Sequence, residues 1–268
     1  MRRFPSIKKF VYFMYRIMFP KSERWLTVHG VPMLVNIHDY GIGTQLFLQK
    51  GYAPARVAEI FGIVKEGDTV IDIGANIGYF TVLLAKLVGN KGRVFAFEPD
   101  PRNAKLLQRT IERNGWSNVF LEQKAVSSKA GKITLYQTHS WAGNSLTPCE
   151  AVSSVEVEVV SIDGVLHEFN VSFIKMDMDG SEPLAIIGMK KLIRRSPNLH
   201  ILAEYQPNNL KRYLPEPLDF ITIANKNRLE LEAILDSDSG RLPTLNPMPL
   251  RNLEGDKNLD LLFVRKKD

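Results

Sequence analysis

The stretch Asp72-Ile-Gly-Ala-Asn-Ile-Gly78, with a glutamate 20 positions further on at Glu98, carries the most specific chemical signal in this chain of 268 residues. Between a strand and a helix, Gly74 lets the backbone turn tightly and Gly78 lets the helix approach the sheet, which leaves a crevice at the strand's carboxyl end. A diphosphate is a poor occupant for that crevice. The loop reads G-A-N-I-G, so Asn76 replaces the glycine that admits a pyrophosphate in dinucleotide sites. A carboxylate at Asp72 would repel a close phosphate by about 1 kcal/mol or more, depending on burial. S-adenosylmethionine has no phosphate and carries an ammonium and a sulfonium, so it is the cofactor these residues favour. Its expected contacts are Asp72, Gly74, Ala75, Asn76 and Gly78, with Tyr79 either beside the methionine portion or part of the core. Glu98, followed by Pro99, sits where an acidic side chain accepts hydrogen bonds from both ribose hydroxyls. The plainer roles are a buried carboxylate satisfied by backbone N–H groups for Asp72, and a helix cap for Glu98. Gln123 and Ala125 fall at the level expected for the adenine, unless they form only a solvated turn.

The elements that must position these residues are legible around them. Thr69 to Ile73 and Arg93 to Phe97 are apolar on both faces, as central parallel strands are, and Val119 to Glu122 follows as a third strand. Helices are expected from Ile77 to Val88 and from Pro101 to Asn114, the second with Asp100 as N-cap and Pro101 in its first turn. Strand and helix alternating through short links predict a doubly wound α/β fold with right-handed crossovers. Lys132 to Tyr136 and Val155 to Ile162 alternate like exposed antiparallel strands, and they bracket a polar loop containing His139 and Trp141. They read as a β insertion between the third and fourth core strands. The core resumes with Ser172 to Asp177, a helix from Pro183 to Arg194 and a strand from Leu199 to Glu204. Helix and loop are expected after Gln206, and Leu259 to Val264 is expected to form the other edge of the sheet. The chain then divides into an accessory segment, 1–40, and one catalytic domain, 41–268, with its core at 66–205 and a C-terminal edge at 206–268.

Composition bounds the partners. With 44% hydrophobic and 24% charged residues the chain is that of a globular protein. The net charge of +6 is local: seven of the 35 Lys and Arg and one of the 29 Asp and Glu lie in the first 25 residues, which leaves 28 of each elsewhere. A basic groove for nucleic acid is therefore not expected. The aromatic run from Phe10 to Phe19 is interrupted by Arg16 and is shorter than the ~20 apolar residues a membrane span needs. That segment either lies in a membrane interface or packs against the domain or a second subunit of a homodimer. Cys149 is the sole cysteine, so no internal disulfide forms, and a cytoplasmic setting, with the inner membrane face as a variant, is expected.

The chain resembles the FkbM-type methyltransferases. The resemblance rests on Glu66-Gly-Asp-Thr-Val-Ile-Asp-Ile-Gly-Ala-Asn-Ile-Gly-Tyr79, Gly92-Arg-Val-Phe-Ala-Phe-Glu-Pro-Asp100, Lys124-Ala-Val-Ser127, Ile174-Lys-Met-Asp-Met-Asp-Gly-Ser-Glu182 and Leu202-Ala-Glu204. It spans roughly Gly41 to Glu204 and implies a mostly parallel, seven-stranded sheet of the class I methyltransferase type whose last strand inserts antiparallel. It also implies methyl transfer to oxygen, usually a hydroxyl of a sugar or another small molecule. Where the family pattern usually reads Asp-x-Glu-Gly, this chain has Asp177-Met-Asp-Gly180, so Asp179 reaches about one methylene less far.

Methyl transfer needs an acceptor held in line, and a base in hydrogen-bond reach of its hydroxyl adds roughly 10² to 10⁴ in rate. Asp177, at the end of the fourth strand, is the first candidate, then Glu204 and His139, with Asp179 and Glu182 also at that edge. Lys175 stands two residues before Asp177 on the same strand face, so an ion pair is the competing role. Asp177, Asp179 and Glu204 could also hold a divalent cation, but no metal ligands are assigned. A nucleotide-dependent oxidoreductase and a silent membrane-bound scaffold are the rival classes.

Overall fold

An antiparallel hairpin, β1 (Glu23–Val28) and β2 (Val31–Asn36), precedes helices α1 (Ile42–Gln49) and α2 (Pro54–Ile63). The alternating unit follows as β3 (Thr69–Ile73), α3 (Tyr79–Val88), β4 (Arg93–Phe97), α4 (Pro101–Asn114) and β5 (Val119–Glu122). These elements belong to a computed structural model that describes residues 14–15, 17–39, 41–49, 51–138, 144–236, 240–242 and 258–266. The expected strands and helices of this unit are present, and α4 has the expected cap: the Asp100 carboxylate accepts from the Arg102 N–H at 2.8 Å.

The insertion does not extend the main sheet. β6 (Ala125–Val126), β7 (Gly131–Gln137) and β8 (Ser153–Val160) form a three-stranded sheet of their own, in the order β6-β8-β7. After a short helix α5 (Ile162–Val165) the core resumes with β9 (Phe173–Met176). The helix expected from Pro183 to Arg194 is two helices, α6 (Glu182–Ile187) and α7 (Lys190–Arg195). The break falls at Gly188, where the backbone passes so close to Ser127 that a Cβ would overlap its carbonyl. β10 (His200–Tyr205), α8 (Pro207–Leu210), α9 (Asp219–Lys226), β11 (Leu229–Asp236), β12 (Gly240–Arg241) and β13 (Leu259–Arg265) complete the fold.

The central sheet has eight strands, not seven, in the order β12-β11-β13-β10-β9-β3-β4-β5. Its β10-β9-β3-β4-β5 half is parallel and its other half antiparallel. Two expectations fail here. β11 was taken for helix and loop, and β13 is not an edge: it lies between β10 and β11, antiparallel to both. The antiparallel insertion of the last strand agrees with the family resemblance. Apolar clusters cover the two faces, one under α3, α4 and the hairpin, the other under α6, α7 and α9. The hairpin belongs to the first: Met33, Leu34 and Val35 are essentially inaccessible. Tyr15 and Phe19 also turn inward, meeting Phe47 edge to face with ring centroids 6.3 and 5.1 Å away. Among the described residues no helix is long and apolar enough to cross a membrane.

Chain order runs outward from β3 through β4 to β5, then jumps to β9 on the other side of β3. That reversal opens a crevice at the carboxyl ends of the two neighbours. Register then decides what lines it. Ile73 pairs with Phe97 and Met176, and Met176 with Ala203, so Gly74, Glu98, Asp177 and Glu204 emerge along one edge.

Candidate functional site

A cavity of about 210 Å³ occupies this edge. Of the residues singled out in the sequence, Gly74, Ala75, Asn76, Tyr79, Glu98, Pro99, Ala125, Asp177 and Glu204 line it, as does Asp179. Asp72, Gly78, Gln123 and Glu182 do not, and His139 and Trp141 lie outside the described residues.

The turn after β3 explains the glycines. Gly74 has φ +75°, and a Cβ there would overlap the carbonyl oxygen of Asp177 on the neighbouring strand. Gly78, at φ +96°, starts α3 where a side chain would collide with Leu107 of α4. Asn76 also adopts a left-handed backbone, φ +52°, which asparagine tolerates better than most residues. The helix and strand thereby approach closely enough to present backbone rather than side chains to the cavity.

Glu98 is held by that backbone. Its Oε2 accepts from the Asn76 N–H at 2.7 Å and its Oε1 from the Asp100 N–H at 2.8 Å. The Asn103 side chain bonds it as well, and lone-pair capacity remains for a ligand. Burial pushes its pKa up to about 7 against these hydrogen bonds, which favour the charge. Glu98 does not cap α4, since Asp100 does.

Asp72 is placed differently from its expected role. Its side chain is fully buried, with Oδ2 accepting from Thr81 Oγ1 at 2.6 Å and Oδ1 3.5 Å from Lys175 Nζ. Asp72 leaves the sheet on the same face as Lys175, its partner in register, but there Thr81 of α3 covers it and it does not line the crevice. Lys175 also donates to the Gly74 carbonyl at 3.0 Å and lies over the Phe80 ring at 5.1 Å, so this ammonium braces the glycine turn.

The β9–β10 edge of the cavity is a buried ionic cluster centred on Arg56, which the sequence did not flag. From α2 its guanidinium donates to Asp177 at 3.0 Å, Glu204 at 2.8 Å and Asp260 at 2.7 Å. The pair expected between Lys175 and Asp177 is present but longer, at 3.7 Å. Burial opposes the charge on Asp177, yet Lys175 and Arg56 outweigh it and hold that carboxyl at about 2. Burial and the neighbouring Asp177 push Glu204 well above its usual range. Asp179, left-handed at φ +52°, has its pKa raised to about 7 by burial and by Asp177, with Arg212 opposing. Among the described residues no group of three or more His, Cys, Asp or Glu side chains is arranged to hold a metal ion.

The cavity's chemistry is thus acidic: Glu98, Asp177, Asp179 and Glu204 against Lys124 and Lys175, both engaged by carboxylates. It suits a ligand of net positive charge with hydroxyls to donate, and it has no free cation among the described lining residues for a diphosphate. The sequence pattern of the FkbM methyltransferase domain matches residues 72–227. The chain belongs to the FkbM methyltransferase family. S-adenosylmethionine-dependent methyl transfer is the chemistry of that class.

Curated relatives are diverse. The chain is 34% identical over 141 residues to a probable cobalt-precorrin-6B C(15)-methyltransferase of Saccharolobus solfataricus, covering 48% of this chain and 71% of that protein. It is 38% identical over 69 residues to a protein-L-isoaspartate O-methyltransferase of Methanococcoides burtonii, 25% of this chain and 34% of that one. A tRNA (guanine(37)-N(1))-methyltransferase of Pyrococcus abyssi is 28% identical over 123 residues, 43% of this chain and 36% of that one. The chain therefore spans about a third of the isoaspartate and tRNA enzymes it matches. Among solved structures, a candidate transferase from Pyrococcus horikoshii superposes with TM-score 0.56 at 12% identity, over 98% of this chain and 86% of that one. A candidate rRNA methylase from Clostridium thermocellum gives 0.51 at 15% identity, over 81% and 97%. These two likenesses show the Rossmann-like fold.

The relatives overturn the expected partners. Nucleic acid was excluded on a charge-neutral body, and a glycan or other small-molecule acceptor was expected from the family resemblance, yet the relatives named act on protein, tRNA and a cobalt-precorrin, none of them a glycan. Overall charge balance excludes an extended basic groove, not a single acceptor base or side chain reaching a cavity, so the exclusion of nucleic acid does not stand.

Proposed function

We propose that this chain moves a methyl group from S-adenosylmethionine to an oxygen of an acceptor admitted at the β9–β10 side of the cavity. The observation that carries the reading is the acidic, phosphate-averse cavity at the switch point, with Glu98 pinned by two backbone N–H groups. Glu98 would hold the ribose hydroxyls, Gly74, Ala75 and Asn76 would let the donor approach the backbone, and Pro99, Tyr79 and Ala125 would wall it. The bound donor supplies a methyl carbon already activated by its sulfonium.

The chain's own contribution is binding, orientation and one proton. Asp177 is too acidic, and too engaged with Arg56, to accept the acceptor's proton near neutral pH. Asp179, on the same edge and near 7, is matched to that task, because a base works best when its pKa lies near the working pH. The choice of an oxygen acceptor rests on the resemblance to the FkbM-type methyltransferases. Calorimetry with S-adenosylmethionine and with NADH tests the donor: binding of the first alone is expected, and binding of NADH alone would defeat the reading. Incubation with methyl-labelled donor and host-cell extract, fractionated into protein, nucleic acid and small molecules, then identifies the acceptor. Base-stable label would count against ester products, and label on nitrogen would count against transfer to oxygen.

A further inference from the structure

The floor of the cavity holds more negative charge than its cations can balance. Arg56 and Lys175 face Asp72, Asp177, Glu204 and Asp260, two cations to four carboxylates. Asp177 and Glu204 accept from different nitrogens of the same guanidinium, at 3.0 and 2.8 Å, which holds the two carboxylates side by side. Like charges held this close do not both ionise.

The surroundings add no further compensation. Asp260 approaches from β13, opposite Glu204 in register, and Asp72 from β3. Asp179 approaches from the turn after β9, Glu182 from α6 and Tyr52 from the segment before α2. On the remaining side Gln206 Nε2 donates to Glu204 Oε2 at 2.6 Å, a neutral partner. Arg212, which faces Asp179, is drawn aside to Ser145 and Thr147 at 3.3 and 3.4 Å.

Resting on the donor reading above, we propose that Asp177 and Glu204 form a proton-sharing pair that is the cavity's receptor for positive charge and sets its preference between donor and product. The pair carries its proton when no cationic ligand is present. S-adenosylmethionine brings a net positive charge, from ammonium and sulfonium against one carboxylate, and that charge takes the proton's place, sending it to solvent. S-adenosylhomocysteine, without the sulfonium, is net neutral and leaves the proton where it is. The cavity therefore selects the cationic donor over the product, and more strongly as pH rises. The raised Glu204 and lowered Asp177 agree in placing the proton on Glu204.

Titration calorimetry of the full chain near pH 7, in two buffers of different ionisation enthalpy, counts the protons released. S-adenosylmethionine should release a measurable fraction of a proton, up to about one, and S-adenosylhomocysteine almost none. The donor-to-product affinity ratio should rise with pH, by up to about tenfold per unit below the pair's apparent pKa. Glu204→Gln, which keeps an acceptor oxygen for Arg56, should abolish the extra release and flatten that ratio, as should Asp177→Asn. Equal proton release by the two ligands in the unmodified protein, a comparison that needs no variant to fold, overturns the proposal. Release that survives Glu204→Gln but disappears in Asp179→Asn moves the proton to Asp179 and also overturns it. If S-adenosylmethionine does not bind at all, the donor reading itself falls.

Discussion

The two halves of the cavity keep carboxylates buried by different means. On the β4 side Glu98 is held by backbone N–H groups of residues 22 and 2 positions away, with no side-chain cation on it. On the β9–β10 side Asp177, Glu204 and Asp260 are held by one guanidinium 121, 148 and 204 positions away. Backbone donors are fixed by the turn and survive side-chain changes. A shared guanidinium is a single point of failure, because each carboxylate it leaves behind is a buried charge. The first arrangement makes a rigid ligand contact, and the second makes a floor whose charge can change.

The sharpest way to break this contrast is to remove the shared cation. Arg56→Met should cost about 3 to 5 kcal/mol in urea unfolding, the usual penalty for stripping one partner from buried ion pairs, and a loss below about 1 kcal/mol would show that the carboxylates simply take up protons. Glu98→Ala, by contrast, should leave stability closer to normal. It should weaken S-adenosylmethionine binding by about 10- to 100-fold in calorimetry, as expected for losing hydrogen bonds to a charged group; unchanged affinity would remove Glu98 from the donor site.

pH separates the halves further. Glu98, Asp179 and Glu182 have pKa values raised to about 7, 7 and 8 by burial, above the values they take when unfolded. In the pH range between, the folded chain binds protons that the unfolded chain has released, so their contribution is intact below about 4.5 and is lost as pH rises through 7 to 8. Asp177, lowered to about 2, is ionised in both states throughout that range. Thermal melts should therefore fall from pH 5.5 toward about 8.5, and Glu182→Gln should flatten the decline. A flat profile in the unmodified protein would contradict the burial of these acids. The smallest effect is expected at Asp100, which caps α4 and accepts from Gln137 and Asn144 of the insertion. Asp100→Ala should cost about 1 kcal/mol, a typical cap loss, with Asn144 released from the cavity wall.

What could be read in the sequence follows the same division. β3, β4 and β9 are buried on both faces and spell themselves as apolar runs, and the Gly74 turn, Glu98 and the Asp100 cap are local patterns. Asp72 does not line the cavity because a motif gives a residue's position, while the packing of α3, through Thr81, decides whether its side chain is reached from the crevice. β11 was legible locally, since Leu229-Glu-Leu-Glu alternates with the period of a half-buried strand, but its partner β13 lies well along the chain. Arg56 gave no sign at all: it lies in an ordinary amphipathic helix ahead of the matched region, and its three partners are brought to it only by the completed sheet.

The position of β13 sets a timetable. Ribosomes make it after every other strand of the sheet, yet it lies between two older ones and delivers Asp260 to Arg56. In the finished sheet it fills the slot between β10 and β11, and its Asp260 is the most buried of the three carboxylates around Arg56. The Glu98 side of the cavity is built from turns next to β3 and β4 alone, whereas its charged floor is complete only with β13.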